Sequence, residues 1–241
     1  MRNGVFLLGL CLAIGMIVSS WIGARTVERI KVRDQTIEVK GYAEKLITSD
    51  LALWSATITT RSTNLVDAYA AIERDAAKVM AFLAEKGFPE DHVAVSPVAV
   101  GQQYRLTEKG QETNEIERYV LRQTFSLQSN DVNLIAATAR DASTLLREGV
   151  EIDSHAPQYL FTRLEDMKLE MIGAATANAR ERIKRLLEGS GVGVGRLRSA
   201  SQGVFQITPA HSTEVSNYGR NDTTTIEKSI KAVVTIEYEI E

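Results

Sequence analysis

Three histidines are the side chains of this chain best suited to acid–base or metal chemistry. His92, His155 and His211 lie in distant regions of the sequence, and none is followed four residues later by a second histidine or a carboxylate. That spacing on a helix brings two ligands to one metal ion. The sequence therefore predicts no metal site, and we interpret the histidines as surface or hydrogen-bonded structural side chains.

The segment Asp153-Ser154-His155 contains the residue types of a hydrolytic triad. It lies on a predicted strand, where consecutive side chains point to opposite faces, so these three residues cannot form a relay among themselves. The single cysteine, Cys11, lies in an apolar run, which excludes a cysteine nucleophile or a CxxC pair from the rest of the chain. We predict no catalytic residue, no cofactor and no enzymatic activity; an acid–base site of Asp, Glu or His is the enzyme alternative.

Three alternating glycines, Gly191, Gly193 and Gly195, superficially match a nucleotide-binding loop. A dinucleotide fingerprint follows a strand and opens a helix. Here the glycines follow a predicted helix and precede a predicted strand. The pattern therefore indicates the end of a helix followed by a turn.

The elements that position these residues alternate between strand-like and helix-like patterns. The first half contains predicted strands at Thr36–Gly41, Leu51–Thr60, His92–Tyr104 and Glu117–Ser129, with a helix after the second strand that is capped by Thr63 or Asn64 and ends at Gly87. The second half contains Glu151–Arg163, interrupted at Pro157, a helix at about Glu165–Glu188, and strands at Leu197–Ile207 and Ile226–Ile240. A helix at about Val132–Arg147 links them. Both halves, about 36–130 and 150–241, thus predict the order strand–helix–strand–strand, a repeat within an α+β fold.

Each long helix has one apolar face at three- and four-residue spacing, which predicts that this face packs in the core. The first face is Leu65, Tyr69, Ile72, Ala76, Val79 and Leu83, and the second is Met171, Ala175, Ala179, Ile183 and Leu186. The alanines of the second helix predict close packing on the sheet, the alternative being a subunit contact. Its cations, Arg180, Arg182, Lys184 and Arg185, are interpreted as a solvated face with a Glu181–Arg185 pair, the alternative being a surface for lipid headgroups.

Residues Val5 to Ala24 form an uncharged apolar run, about 30 Å long as a helix, which matches the hydrocarbon thickness of a bilayer. The run predicts a transmembrane anchor, with residues 1–35 as anchor and charged linker; the alternative is a cleaved signal peptide. Trp21 near its end favours the anchor. More cations follow the run, from Arg25 to Arg33, than precede it, and by the positive-inside rule this count favours a cytoplasmic location for the domain.

The composition excludes some partners. The chain has 241 residues and a formal net charge of −3, with no basic excess that would attract a polyanion. We therefore predict no nucleic-acid binding. The roughly 200 residues after the apolar run are enough for a real hydrophobic core.

Three stretches carry a resemblance to a known family: the opening IEVKGYAEKLITSDLALWSATITT with Gly41 and Ala43, the segment Gly87–Val93, and the helix Met171–Arg185 with the closing strand KAVVTIEYEI. In this order they resemble the SIMPL-domain proteins, whose bacterial members are often labelled oxidative-stress defence or periplasmic immunogenic proteins. The resemblance covers roughly residues 36–241. It implies an exported or membrane-anchored protein that self-assembles and is linked to envelope or oxidative stress, and it supplies no catalytic residues.

Together these observations predict a single-pass inner-membrane protein with its 36–241 domain in the periplasm, acting as a homo-oligomeric structural or interaction module. The resemblance is the reason to prefer export over the charge count. The alternative is a periplasmic module that binds a ligand or protein through the polar loops 106–117 and 209–225, or through a cleft between the two halves. A soluble cleaved form is the alternative for location.

Overall fold

The structure, a computed structural model, describes residues 13–25, 35–214 and 216–241. In these residues the fold is mixed α+β, which confirms the predicted class. The helices are α1 (13–25), α2 (Leu65–Glu85), α3 (Val132–Asp141) and α4 (Leu164–Leu187), with short 3-10 helices at Glu90–His92 and Ala142–Glu148. The strands are β1 (Thr36–Thr48), β2 (Leu51–Ser62), β3 (Val93–Val95), β4 (Ala99–Leu106), β5 (Glu112–Ser129), β6 (Ile152–Ser154), β7 (Gln158–Leu160), β8 (Val194–Gln202), β9 (Gln206–Pro209), β10 (Arg220–Asn221) and β11 (Glu227–Ile240).

The predicted anchor is described only from residue 13 onward. Residues 13–25 are helical, whereas the start of the predicted anchor and the charged linker at 26–34 lie outside the described residues. Within the part of the chain that the structure describes, no helix has both the length and the apolar character to cross a membrane. The anchor stays a prediction.

Close contacts divide the chain into two compact units, each built from distant segments. The first unit comprises the described residues of Met1–Glu44 with Asp166–Phe205 and Lys231–Glu241, and the second comprises Lys45–Glu165 and the described residues of Gln206–Ile230. These units cut across the predicted halves, 36–130 and 150–241. A repeat in the order of elements does not require each half to pack as one unit, so the repeat stays a prediction.

The second unit is organised by a six-stranded sheet with the order β3-β5-β2-β6, in which β4 also pairs with β5 and β7 with β2. Strand β2 alternates strictly, because Ala52, Trp54, Ala56 and Ile58 are buried and the residues between them are only half-buried. The buried side faces the apolar stripes of α2 and α3 in one core. The other face of the sheet carries the polar side chains that form the site described below.

The first unit holds α4 against β1, and β8 runs antiparallel to β11 from Val194 opposite Ile240 to Gln202 opposite Val234. The contact of α4 depends on Gly41, because a β-carbon there would lie 2.0 Å from the Ala175 carbonyl oxygen and 2.7 Å from the Ala179 β-carbon. Ala175 and Ala179 are fully buried. The predicted close packing of the alanines on a strand is confirmed.

Prolines interrupt the predicted strands. The predicted strand His92–Tyr104 is wrong as one element, because it divides into β3 and β4 around Pro97, which has no N–H to donate to the ladder. The predicted interruption at Pro157 is confirmed, with β6 before it and β7 after it. The predicted strand Leu197–Ile207 divides as well, into β8 and β9, although the residues between them include no proline.

The predicted helices are found at the predicted positions, but some residues of their predicted buried faces are exposed. The Asn64 side chain caps α2 by accepting from the backbone N–H of Val66 at 2.8 Å. Leu65 and Tyr69 are 41% and 47% exposed, because the buried side of the first turn is Ala68, whose carbonyl accepts from the Thr60 hydroxyl at 3.1 Å. Leu186 is likewise 64% exposed at the end of α4 rather than buried.

Candidate functional site

A cleft of about 990 Å³ lies in the second unit, on the sheet face opposite α2 and α3. Leu53 and Ser55 alternate with the buried residues of β2, so their side chains point to this open face. Ser126 stands opposite Ser55 in the ladder, and Gln128 stands opposite Leu53. The cleft therefore has a mixed floor, in which the serine and glutamine side chains lie beside that of Leu53.

Two of the three histidines line this cleft. His92 ends the 3-10 helix just before β3, and His155 follows β6. Because the sheet order is β3-β5-β2-β6, these two residues stand on either side of the two central strands. Nothing in the local sequence pattern indicates that the two histidines lie in one cleft, because that pattern does not determine the order of strands in the sheet. His211 lies in a turn with a left-handed φ of 63° and does not line the cleft.

The side chains of His155 and its neighbours point to different faces of the sheet and have different partners. Its Nε2 lies 3.4 Å from the Thr57 hydroxyl, and its Nδ1 lies 3.9 Å from an Asp153 oxygen. Ser154 points to the other face, where its hydroxyl accepts from the Trp54 indole at 3.1 Å and donates to a backbone carbonyl. Asp153, Ser154 and His155 therefore do not form a relay, which confirms the prediction from strand alternation.

The chemistry available in the cleft is hydrogen bonding. Hydroxyl, amide and imidazole groups offer donors and acceptors for a polar ligand. Among the described residues, no group of three His, Cys, Asp or Glu side chains is arranged to hold a metal ion. The Thr57 hydroxyl lies 2.9 Å from that of Thr124, so it belongs to a cross-strand pair rather than to an activated nucleophile.

A second feature of the second unit is a hairpin, here called the arm, formed by residues 103–106 of β4 and residues 112–118 of β5. Strand β5 continues beyond the end of β2, so that in the described residues the arm has only its own two strands. Its apolar side chains are exposed, Leu106 by 57% and Ile116 by 41%, and Val100, at the base of the arm, is 56% exposed. Tyr104 pairs with Ile116 across the arm. The predicted long-armed hairpin is confirmed, whereas the exposure of its apolar side chains is not predicted by the sequence pattern.

The polar loop 209–225 is joined to β11 by a buried ion pair between Asp222 and Lys228. The Lys228 ammonium donates to Asp222 at 3.1 Å and to the Thr225 carbonyl, and both side chains are less than 10% exposed. Burial raises the pKa of the Asp222 carboxyl, but hydrogen bonds from Thr225, Thr224 and Lys228 lower it by more than burial raises it. The pKa of Asp222 therefore lies well below its ordinary value. The signal in the sequence is Asp-Thr-Thr-Thr, an Asx-type turn in which the carboxylate accepts from the residues that follow it.

In the first unit, the predicted glycine turn and the predicted Glu181–Arg185 pair are confirmed. Gly189 and Gly191 have left-handed φ values of 83° and 73° after the end of α4, so the glycine run is a helix terminus and turn. Arg185 pairs with Glu181 at 3.1 Å, as its i,i+4 spacing predicted. Arg182 donates to the Lys40 carbonyl at 3.1 Å, which ties α4 to β1.

Tyr42 and Glu44 form a polar contact on β1 in the same unit. The Tyr42 hydroxyl donates to a Glu44 oxygen at 2.5 Å, and Lys231 on β11 lies 3.7 Å from the other Glu44 oxygen. Burial, together with this hydrogen bond and the Glu44 charge, raises the pKa of Tyr42 to about 12. A phenol with that pKa stays protonated at neutral pH, so Tyr42 is a donor and not a catalytic base.

Comparison with known proteins gives one match. The family model SIMPL, described as a protein of unknown function (DUF541), matches residues 37–238. That range includes the cleft, the arm and the buried ion pair. No curated protein matches the sequence.

Proposed function

The chain belongs to the SIMPL family, and from that premise we propose that it is a membrane-anchored, extracytoplasmic module that acts by self-assembly rather than by catalysis. The family's function is unknown, so the proposal depends on the features of this chain. A role in envelope or oxidative stress is the finer part of the proposal, and it comes from the family resemblance alone.

The arm is the observation that carries self-assembly. A two-stranded ribbon gains little stability in water by itself, and its exposed Leu106 and Ile116, with Val100 at its base, would be buried by contact with another subunit. Within the described residues β4 pairs only with β5, so its outer edge offers unpaired backbone groups to a further strand. A second copy of the chain brings the same surface, which suits a symmetric contact.

We expect charges on the arm to disrupt the assembly. The double variant Leu106→Lys/Ile116→Lys should shift the detergent-solubilised chain from multimer to monomer, because two charges would have to be buried in the contact. Light scattering coupled to size-exclusion chromatography measures the change.

The matched control is Leu146→Lys, since Leu146 is 54% exposed but lies outside the arm. This variant should assemble as the wild type does. A wild-type chain that is monomeric at micromolar concentration contradicts the proposal and leaves a binding module, with the polar cleft as its site, as the better-supported function.

The anchored, extracytoplasmic location has its own test. A reporter that is active only outside the cytoplasm, fused after Glu241, should be active, and the mature protein should keep its full mass. Activity with the loss of about 20 N-terminal residues would replace the anchor by a cleaved signal. An inactive reporter would mean that the charge count after Arg25 sets the topology and that the proposed compartment is wrong.

A further inference from the structure

The direction of α4 relative to β1 shows which end of the helix lies beside the start of β1. The backbone N–H of Tyr42 donates to Asn178 at 3.1 Å, and one turn later Arg182 donates to the carbonyl of Lys40. Residue numbers thus fall along β1 as they rise along α4. The C-terminal end of α4 therefore lies beside the first residues of β1.

The start of β8 lies at this same end. Gly193, just before β8, exchanges two backbone hydrogen bonds with Glu241, at 2.6 and 3.1 Å. Ile240 in turn donates to the carbonyl of Gln35, the residue before β1, at 3.1 Å. The turn between α4 and β8 and the point where the chain enters β1 therefore share one end of the unit.

This end carries four exposed apolar side chains, here called the α4–β8 surface. They are Leu186 (64% exposed), Val192 (36%), Val194 (42%) and Leu197 (56%). The same segments carry seven cations, namely Lys40, Arg180, Arg182, Lys184, Arg185, Arg196 and Arg198, and five carboxylates, namely Glu38, Glu181, Glu188, Glu239 and Glu241. Net charge therefore does not select a polyanion, whereas exposed aliphatic side chains among arginines and lysines suit the boundary between lipid headgroups and acyl chains.

The connection to the apolar N-terminus holds this surface near the proposed anchor. Ten residues, 26–35, join α1 to β1, and such a segment spans at most about 36 Å. We infer that the α4–β8 surface lies on the bilayer, with its aliphatic side chains in the headgroup region and its cations among the lipid phosphates. The inference rests on the proposed anchor, and it adds the orientation of the first unit.

The test is a depth measurement on the full chain in vesicles of phosphatidylcholine and phosphatidylglycerol. A fluorescent label is placed at Leu186→Cys, in a Cys11→Ser background, and quenchers are placed on the lipid near the headgroup. The matched control is Leu169→Cys, because Leu169 is 70% exposed on the same helix but lies about 25 Å away, towards its N-terminus. Both positions are surface sites, where substitution changes stability little.

We expect lipid quenching to be at least about threefold stronger at 186 than at 169, with a label at Leu197→Cys behaving like that at 186. Equal quenching at 186 and 169, whether weak or strong, overturns the inference while the anchor stands, provided that the chain floats with the vesicles. A chain that does not float overturns the anchor, and this inference with it. Flotation thus separates the two failures.

Discussion

Replacing Gly41 by alanine is expected to lower the free energy of unfolding by about 3 kcal/mol, the upper end of the usual range for overpacking. The added β-carbon would lie 2.0 Å from the Ala175 carbonyl oxygen and 2.9 Å from the Ala179 backbone nitrogen. These are backbone atoms of α4, so no side-chain rotation can relieve the clash, and the whole helix must move off β1. Thermal unfolding followed by circular dichroism should show a midpoint roughly 6–12 °C below that of the wild type.

The control for this substitution is Gly173→Ala on α4 itself. An added β-carbon at Gly173 meets nothing within 4 Å, so alanine there brings only its higher helix propensity, about 1 kcal/mol of stabilisation. The two glycine-to-alanine changes should therefore have opposite signs. A Gly41→Ala protein as stable as the wild type would mean that α4 does not pack on β1 as described.

The sequence predicts what depends on neighbouring residues. The alternation from Leu51 to Thr60 identifies β2, the Asn64 cap and Gly87 bound α2, and the glycines after Leu187 end α4, because each of these signals acts within one turn or one strand. The alanines of α4 also predict correctly that this helix packs closely on a sheet.

The sequence does not predict what depends on the order of strands or on the ends of helices. Nothing local indicates that Gly41 meets Ala175, or that His92 and His155 share a cleft, because those contacts require the whole sheet. Helical spacing also cannot show where a core ends, so Tyr69 and Leu186 fit the apolar stripe although they are exposed.

Removing the buried carboxylate of the second unit should have the other large effect. Asp222→Ala leaves the Lys228 ammonium, whose side chain is 2% exposed, without its counter-charge. Breaking a buried ion pair from one side costs about 3–5 kcal/mol, because a charge remains in a place that water does not reach. The double variant Asp222→Ala/Lys228→Met should recover most of that loss, since it removes both charges. Urea unfolding of the three proteins measures both differences.

A control in the same segment is Glu214→Ala, which breaks an ion pair with Arg220. Both side chains of that pair are about half exposed, so the loss should stay below about 1 kcal/mol. If Asp222→Ala costs no more than Glu214→Ala, the buried pair contributes nothing beyond a surface pair.

Acid should reduce the contribution of the Asp222 carboxylate to the free energy of unfolding. Burial raises the pKa of Asp222 in the folded chain, but hydrogen bonds from Thr225, Thr224 and Lys228 outweigh it, so the pKa is lowered. The stabilisation is therefore complete above the unfolded pKa, about 3.9, and is lost as the pH falls below it towards the lower folded value. The difference in unfolding free energy between wild type and Asp222→Ala should be constant from pH 7 to about pH 5 and should shrink below about pH 4. A difference that stays constant down to pH 2 would mean that the carboxylate is not held in its charged form by these partners.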